Sequence, residues 1–124
     1  MEKELRAVLS IRLFTEHKCF GPGIAELLHR VDEHHSLRAA AQSMEMAYSK
    51  AWAITKGAEK GLGVELLAST AGGKGGGGAK LTDEARQILT AYDRYCEKLR
   101  AYGDKLLKEE FAFYTQMKKN DPSD

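Results

Sequence analysis

The chain has 124 residues, of which 43% are hydrophobic and 30% charged, and its net charge is only +1. These values predict one folded domain and exclude a disordered chain or an indiscriminate polycation. Because no apolar run approaches the roughly 18 residues that span a membrane, and the N-terminus lacks the apolar stretch of a signal peptide, we expect a cytoplasmic protein.

Positive charge is concentrated in the middle third of the sequence. Residues 36–80 carry six basic and three acidic side chains, a balance of +3. Residues 1–35 carry five basic and six acidic side chains and residues 81–124 carry eight and nine, so each segment has a balance of −1. A local basic surface is the minimum electrostatic requirement for binding phosphates.

The first third of the chain predicts a strand followed by a helix. From Leu5 to Phe14 apolar and polar residues alternate, which is typical of a strand with one buried face. A Gly-Pro-Gly break follows, and its proline suits the first turn of a helix. Apolar residues from Ile24 to Val31 then recur at helical spacing and predict an amphipathic helix over residues 23–34.

Two further helices are predicted next. Ser36 is the expected N-cap of a short second helix, whose inner face is almost all alanine and therefore allows a neighbouring helix to approach closely. A third helix is expected from Ala47 to about Leu62, with Trp52 on its buried face. Gly57 and Gly61 weaken this helix.

The last third predicts a hairpin and a long helix. Residues 63–67 and 79–81 flank the glycine run and predict two antiparallel strands. Thr82 and the two acidic residues after it predict the start of a helix whose apolar 3–4 spacing continues to about Met117. Such a helix would be ~50 Å long, so its far half needs another surface, most economically the same helix of a second copy. Two shorter helices that break at Gly103 are the alternative.

The predicted order β–α–α–α–β–β–α is that of a winged helix-turn-helix. It is a mainly α fold with a small β hairpin, here extended by a long C-terminal dimerisation helix. We assign residues 1–82 to the winged helix-turn-helix, residues 83–117 to the long helix and residues 118–124 to a disordered tail.

Several motifs occur in an order that resembles a known family. They are FGPG at residues 20–23, YSKAW at residues 48–52 and GGKGGGGAKLT at residues 72–82. Together they resemble the N-terminal DNA-binding domain of the ModE family of molybdate-responsive regulators. The stretches SLRAAAQSM, GVELL and LTDEA are also similar to the helix-turn-helix region of LysR-type regulators. The resemblance covers about residues 5 to 95.

The resemblance implies a homodimer that binds operator DNA through a winged helix-turn-helix. The two-fold symmetry of such a dimer predicts a pseudo-palindromic operator. The sequence departs from the family pattern at three points. Ala68 and Ser69 replace an acidic–basic pair, so one expected phosphate contact is missing, and Ala85 replaces a glycine. The molybdate-binding domains of the family have no counterpart in the 124 residues, so we expect no oxyanion sensing by this sequence, no cofactor and an effector of unknown identity.

The glycine run has three interpretations. A phosphate-binding P-loop requires Ser or Thr after its lysine, but Gly75 follows Lys74. A plain flexible hairpin tip is the second interpretation. The third is a DNA-binding wing, in which lysines attract the duplex and glycine backbone approaches phosphates. We favour the wing, formed by Lys74 and Lys80 with backbone from Gly72, Gly73, Gly75, Gly76, Gly77 and Gly78.

The third helix is the expected reading element, because in a helix-turn-helix its first residues enter the major groove. Its polar candidates are Tyr48, Ser49, Lys50 and Lys56, of which Lys50 can donate to guanine. Arg38 on the second helix is equally suited to a phosphate contact and to solvent. The predicted dimer contacts are Ile88, Tyr92, Tyr95, Leu99, Tyr102 and Leu106.

Other chemistries find little support in the sequence. His29 and His34 lack the i, i+4 spacing of paired metal ligands, so we expect no metal site. Cys19 and Cys96 are expected to be reduced structural thiols, and no catalytic motif indicates an enzyme. Two rival functions remain open: a winged helix that binds a protein partner with little DNA affinity, and an oxyanion-binding or storage protein that acts without DNA.

Overall fold

The computed structural model describes residues 3–70 and 77–119. Along the chain the elements are β1 (Leu13–Phe14), β2 (Lys18–Phe20), α1 (Pro22–His34), α2 (Leu37–Ser43), α3 (Tyr48–Leu62), β3 (Leu67–Ser69), β4 (Ala79–Leu81), α4 (Asp83–Glu110) and α5 (Phe113–Lys119). The chain divides into two compact units. One is Ser10–Asp93, and the other comprises the described residues of Met1–Leu9 and Arg94–Asp124. The predicted fold, a mainly helical winged helix-turn-helix with a long C-terminal helix, is confirmed.

The three-helix core of the first unit begins and turns where the sequence predicts. α1 starts at Pro22 and ends at His34, and the left-handed backbone of the C-cap residue His35 (φ 65°) turns the chain. The hydroxyl of Ser36 then accepts a 2.9 Å hydrogen bond from the backbone N–H of Ala39, which confirms the predicted N-cap of α2. Glu45, also left-handed at φ 54°, lies in the turn between α2 and α3.

Small side chains bring α2 and α3 together. Ala40 and Ala41 of α2 and Ala51 and Ala58 of α3 are all buried. Because alanine keeps the backbones of two helices close, α3 crosses α2 at short range and presents its other side outward. Larger core side chains fill the space around α1, chiefly Phe20, Leu27, Leu28, Val31 and Leu66.

The N-terminal strand is shorter than predicted. Of residues 5–14, only Leu13–Phe14 form a strand, and their partner is the three-residue strand β2, which was not predicted. Leu5, Val8 and Leu9 are exposed. A strand needs a hydrogen-bonded neighbour, and β2 is long enough to reach only the last two residues of the predicted strand.

The hairpin forms as predicted, but its first strand begins at Leu67 rather than near Val64. β3 and β4 are antiparallel, with Leu67 opposite Leu81 and Ser69 opposite Ala79. The loop end of the hairpin strands is attached to the turn between α1 and α2, because the N–H of Ala79 donates to the carbonyl of His35 at 2.9 Å. This bond fixes the root of the glycine run beside the helix-turn-helix.

α4 is one continuous helix of 28 residues. The hydroxyl of Thr82 accepts from the N–H of Ala85 at 3.0 Å, so the predicted helix start is confirmed. The predicted alternative, a break at Gly103, is wrong. In the second unit Gly103 lies against Leu9, where an added Cβ would be 3.4 Å from a Leu9 methyl. The single helix predicted to continue to about Met117 is also too long, because α4 ends at Glu110 and a separate helix, α5, begins at Phe113.

Among the described residues, no helix is long and apolar enough to cross a membrane.

Candidate nucleic-acid interface

The first turn of α3 presents three of the residues predicted to contact DNA. Tyr48, Ser49 and Lys50 are all exposed, while Ala51 one residue later is fully buried. Ala47 at the N-cap position has no side-chain acceptor for the first N–H groups. The positive end of the α3 dipole therefore accompanies a hydroxyl, a phenol and an ammonium on one exposed turn.

Arg38 connects α2 to this turn. Its guanidinium carbon lies 4.3 Å from the centroid of the Tyr48 ring. Such cation–π contacts are worth about 0.5–1 kcal/mol at exposed sites. Arg38 is therefore placed with Tyr48 on the candidate surface, where the guanidinium retains N–H groups that can donate to phosphate.

Lys56 is not a simple exposed cation. Its ammonium lies 3.1 Å from one carboxylate oxygen of Glu59. The other carboxylate oxygen accepts the N–H groups of Leu66 at 2.8 Å and Leu67 at 3.4 Å. Glu59 thus joins the last turns of α3 to the start of the hairpin, and part of the positive charge of Lys56 is balanced within the chain. This role of Glu59 was not predicted, although its i, i+3 spacing from Lys56 was a signal.

The pKa of Glu59 reflects two opposing effects. Burial of its carboxylate raises the pKa, but the N–H of Leu66 and the Lys56 ammonium bind the charged form, and the net pKa is below its usual value. A lowered folded-state pKa contributes stability above the pKa of the unfolded chain. That contribution is lost as the pH falls through the folded-state pKa.

Replacing Glu59 by glutamine is therefore expected to destabilise the protein near neutral pH. A hydrogen bond to a charged group contributes about 1.5–3 kcal/mol, and the amide of glutamine retains only part of it. Urea unfolding at pH 7 and at a series of acidic values measures the difference. The difference in the free energy of unfolding between wild type and Glu59→Gln is expected to become smaller below about pH 4.5. A difference that stays constant with pH would contradict this role for the charge.

Trp52 contradicts the expectation of a core position. Its side chain is 49% exposed. The buried face of α3 consists of Ala51, Thr55 and Ala58, and a helix that packs through such small residues leaves no room for an indole. The Lys56 ammonium lies 5.7 Å from the centroid of the Trp52 ring. Sequence hydrophobicity assigned the largest apolar side chain to the core, but the close packing of α2 and α3 excludes it.

The wing is described only at its base. Lys80 is exposed on β4, and Gly78 forms a bridge with Ser36 at the start of α2. Gly77, at φ 130°, has a backbone conformation that other residues rarely adopt. The predicted contacts Gly72, Gly73, Lys74, Gly75 and Gly76 lie outside the described residues. Their roles, like the role of Lys80, stay predictions.

The histidine-rich end of α1 makes polar side-chain contacts with α4. His29 Nε2 lies 2.7 Å from the carboxylate of Asp93 on α4. Asp32 accepts a 2.8 Å hydrogen bond from Arg86, also on α4, which lowers the pKa of Asp32. These pairs join α1 to α4 within the first unit. In the part of the chain that the structure describes, no three His, Cys, Asp or Glu residues are grouped to hold a metal ion. Cys19 and Cys96 are buried free thiols.

The residues predicted for a dimer interface differ in exposure. Tyr92 is only 6% exposed. Its ring packs edge-on against Phe20, and its hydroxyl donates to the carbonyl of Ile11 at 2.7 Å, so it belongs to the core of the unit Ser10–Asp93. Ile88 and Leu99 are half-buried, whereas Tyr95, Tyr102 and Leu106 are exposed.

Comparison with known families identifies the class of protein. Residues 25–86, half of the chain, match the bacterial regulatory helix-turn-helix proteins of the lysR family. The match extends from the second turn of α1 to the first turn of α4 and includes the complete helix-turn-helix and hairpin. The chain therefore belongs to this family of bacterial regulatory helix-turn-helix proteins.

Similarity to one known protein supports a more specific resemblance within this family. The chain is 29% identical over 108 residues to the transcriptional regulator ModE of Haemophilus influenzae. The alignment covers 87% of this chain but only 42% of the relative, so the chain spans less than half of that protein's length. The resemblance to the N-terminal helix-turn-helix domain of the ModE family is confirmed.

Proposed function

We propose that the protein binds operator DNA as a homodimer and regulates transcription from that site. The observation that carries this proposal is the first turn of α3. Tyr48, Ser49 and Lys50 are exposed there together, and the Arg38 guanidinium lies on the Tyr48 ring. Two-fold symmetry then requires a pseudo-palindromic operator with half-sites separated by one or more helical turns.

The two kinds of contact have different tasks. The first turn of α3 enters the major groove, where Lys50 donates to guanine O6 and N7, and Ser49 and Tyr48 contact bases or phosphates. The wing follows the neighbouring backbone, with Lys80 near its base and Lys74 in the glycine run. Supporting this placement, the hydrogen bond from Ala79 to His35 holds the hairpin at the turn that precedes α2. Contacts to phosphates position the protein, whereas contacts to bases select the sequence.

The dimer is proposed to form along α4. Its apolar positions at residues 88, 92, 95, 99, 102 and 106 are spaced alternately by four and three, as in the seam of a coiled coil. Tyr92 is used inside the subunit, and we therefore leave it out of the proposed interface. Tyr95, Tyr102 and Leu106 provide exposed apolar area farther along the helix. We propose no oxyanion site within the described residues.

Selection of genomic fragments by the purified protein tests the function. Fragments recovered at physiological salt are expected to share a pseudo-palindrome, and a gel shift at two salt concentrations is expected to show specific complexes with dimer stoichiometry. Recovery of unrelated fragments, or no binding even in dilute buffer, would contradict the proposal and favour a protein-binding module.

Replacing Lys50 by alanine is expected to reduce the preference for the selected operator over random duplex by about tenfold, because a base contact is lost.

Replacing Lys80 by alanine is expected to weaken the binding of all duplexes alike. The slope of the logarithm of affinity against the logarithm of salt concentration is expected to fall by about one. Lys18→Ala, which removes an exposed lysine of β2, is the charge-matched control. Fluorescence anisotropy titrations over a salt series measure all three. Unchanged affinity and preference in Lys50→Ala would show that this docking of α3 is wrong.

A further inference from the structure

Trp52 is a large exposed side chain of α3 to which the proposed contacts assign no task. It is the only tryptophan of the chain. Among the described residues of Ser10–Asp93, the large exposed hydrophobic side chains are Phe14, Tyr48 and Trp52, so two of the three lie on α3. Removal of such rings from water favours association. The exposed side of α3 is therefore more apolar than a surface that reads DNA through hydrogen bonds alone.

The neighbours of Trp52 leave its ring accessible. Ser49, Ala53 and Gly57 are exposed on successive turns of α3, and they form a row of small residues beside the row that contains Trp52. A Cβ added at Gly57 would meet no atom within 4 Å, so the space around this part of the helix is open. Because the adjacent row is small, the helix can approach a base-pair edge closely, and the indole is the group that extends farthest.

A cation accompanies the ring. The Lys56 ammonium is 5.7 Å from the Trp52 centroid and is held by Glu59 at 3.1 Å. Tyr48, one turn earlier, has the Arg38 guanidinium 4.3 Å from its own ring centroid. Each aromatic ring therefore lies beside a cationic side chain, and an aromatic ring in this setting suits an apolar part of the duplex next to the phosphate backbone.

We propose that Trp52 determines sequence specificity by contacting the C5-methyl groups of thymines in the major groove. Thymine is the base that presents an apolar group there, while the other edges present hydrogen-bond donors and acceptors. An indole, whose single N–H is its only polar group, matches the methyl rather than those edges. This inference rests on the proposed docking of α3 and adds thymine positions next to the base pairs contacted by Lys50.

Uracil substitution tests the contact, because it removes only the methyl groups. The probe is a labelled duplex of roughly three helical turns, selected by the wild-type protein from a random-sequence pool and prepared with thymine or with uracil. Anisotropy titrations are expected to show a loss for wild type of roughly fourfold per contacted thymine on uracil substitution. Trp52→Ala is expected to bind the thymine duplex about 30-fold more weakly and to bind both duplexes equally.

Two variants control for folding and for nonspecific loss of apolar surface. Trp52→Phe retains a ring and is expected to keep part of the thymine preference. Phe14→Ala removes an exposed aromatic ring of β1 and is expected to show the wild-type uracil penalty. The comparison of protein variant with duplex variant is a double-mutant cycle, so effects of uracil on the shape of DNA cancel.

The intrinsic fluorescence of the protein gives a second readout, since Trp52 is its only indole. Binding of the thymine duplex is expected to shift the emission to shorter wavelength and to protect the indole from iodide quenching. Equal losses of affinity on uracil substitution in wild type and Trp52→Ala would overturn the inference. If the indole were then still protected from iodide, it would lie on the sugar–phosphate backbone. If its fluorescence were unchanged by DNA, it would remain in solvent. Absence of any anisotropy change with wild type would instead overturn the proposed function itself.

Discussion

Replacing Tyr102 by glutamate is expected to convert dimers into monomers and to weaken binding to a duplex with two half-sites by roughly a hundredfold or more. Tyr102 is 59% exposed on α4, at a position of the 4–3 apolar spacing. A carboxylate there would be buried without a partner in the proposed interface. Loss of the dimer separates the two helix-turn-helix units, and each then binds its half-site without the high effective concentration that the partner provides.

Ala101→Glu is the matched control for this prediction. Ala101 is also exposed on α4, but it lies about 100° around the helix from Tyr102, so the same charge is added outside the apolar spacing. Sedimentation equilibrium over a concentration series measures the dimer, and anisotropy with one and two half-sites measures the DNA. A Tyr102→Glu protein that remains dimeric would place the interface elsewhere on the chain.

Replacing Gly61 by alanine is expected to destabilise the protein by about 1–3 kcal/mol, the usual cost of overpacking. A Cβ at this position would overlap the Cβ of Cys19 and lie 3.3 Å from its Cα. The carbonyl of Gly61 also accepts a 2.9 Å hydrogen bond from the hydroxyl of Thr15. β2 therefore rests directly on the backbone of α3, and only glycine allows this approach.

Gly57→Ala is the control, because it is expected to raise the free energy of unfolding rather than lower it. A Cβ at Gly57 meets nothing within 4 Å, so the substitution keeps the packing and improves the helix by about 0.5–1 kcal/mol. Urea unfolding of both variants at pH 7 compares the free energies of unfolding. Similar stabilisation by alanine at the two positions would show that Gly61 is not held against β2.

Local sequence patterns predicted much of the fold. The spacing of apolar residues located α1 and α3 to within one residue, and the hydroxyls of Ser36 and Thr82 marked the helix starts that the structure contains. These features depend on neighbours within a few positions of the chain, where period and capping chemistry are sufficient. The predicted strand over residues 5–14 failed because a strand also needs a distant partner.

The candidate site was predicted less completely than the fold. Tyr48, Ser49 and Lys50 are exposed on one turn as expected, but Trp52 is also exposed, and Tyr92 is buried rather than available to a partner. Lys56 is bound to a carboxylate that also holds the start of β3. Periodicity divides a helix into faces, but it does not say which face a neighbouring element covers.

The sequence by itself determined the three helices of the helix-turn-helix, the hairpin and the caps at Ser36 and Thr82, because these depend on residue type and short spacing. Its motifs also carried the resemblance that indicated the class of protein. Only the tertiary structure decided which side chains of α3 and α4 are available for binding. The alanine-lined crossing of α2 and α3 leaves Trp52 in solvent, and the ring of Phe20 together with the carbonyl of Ile11 holds Tyr92 in the core. Such outcomes depend on contacts between residues far apart in the chain, where available volume and hydrogen-bond partners prevail over the hydrophobicity of a single side chain.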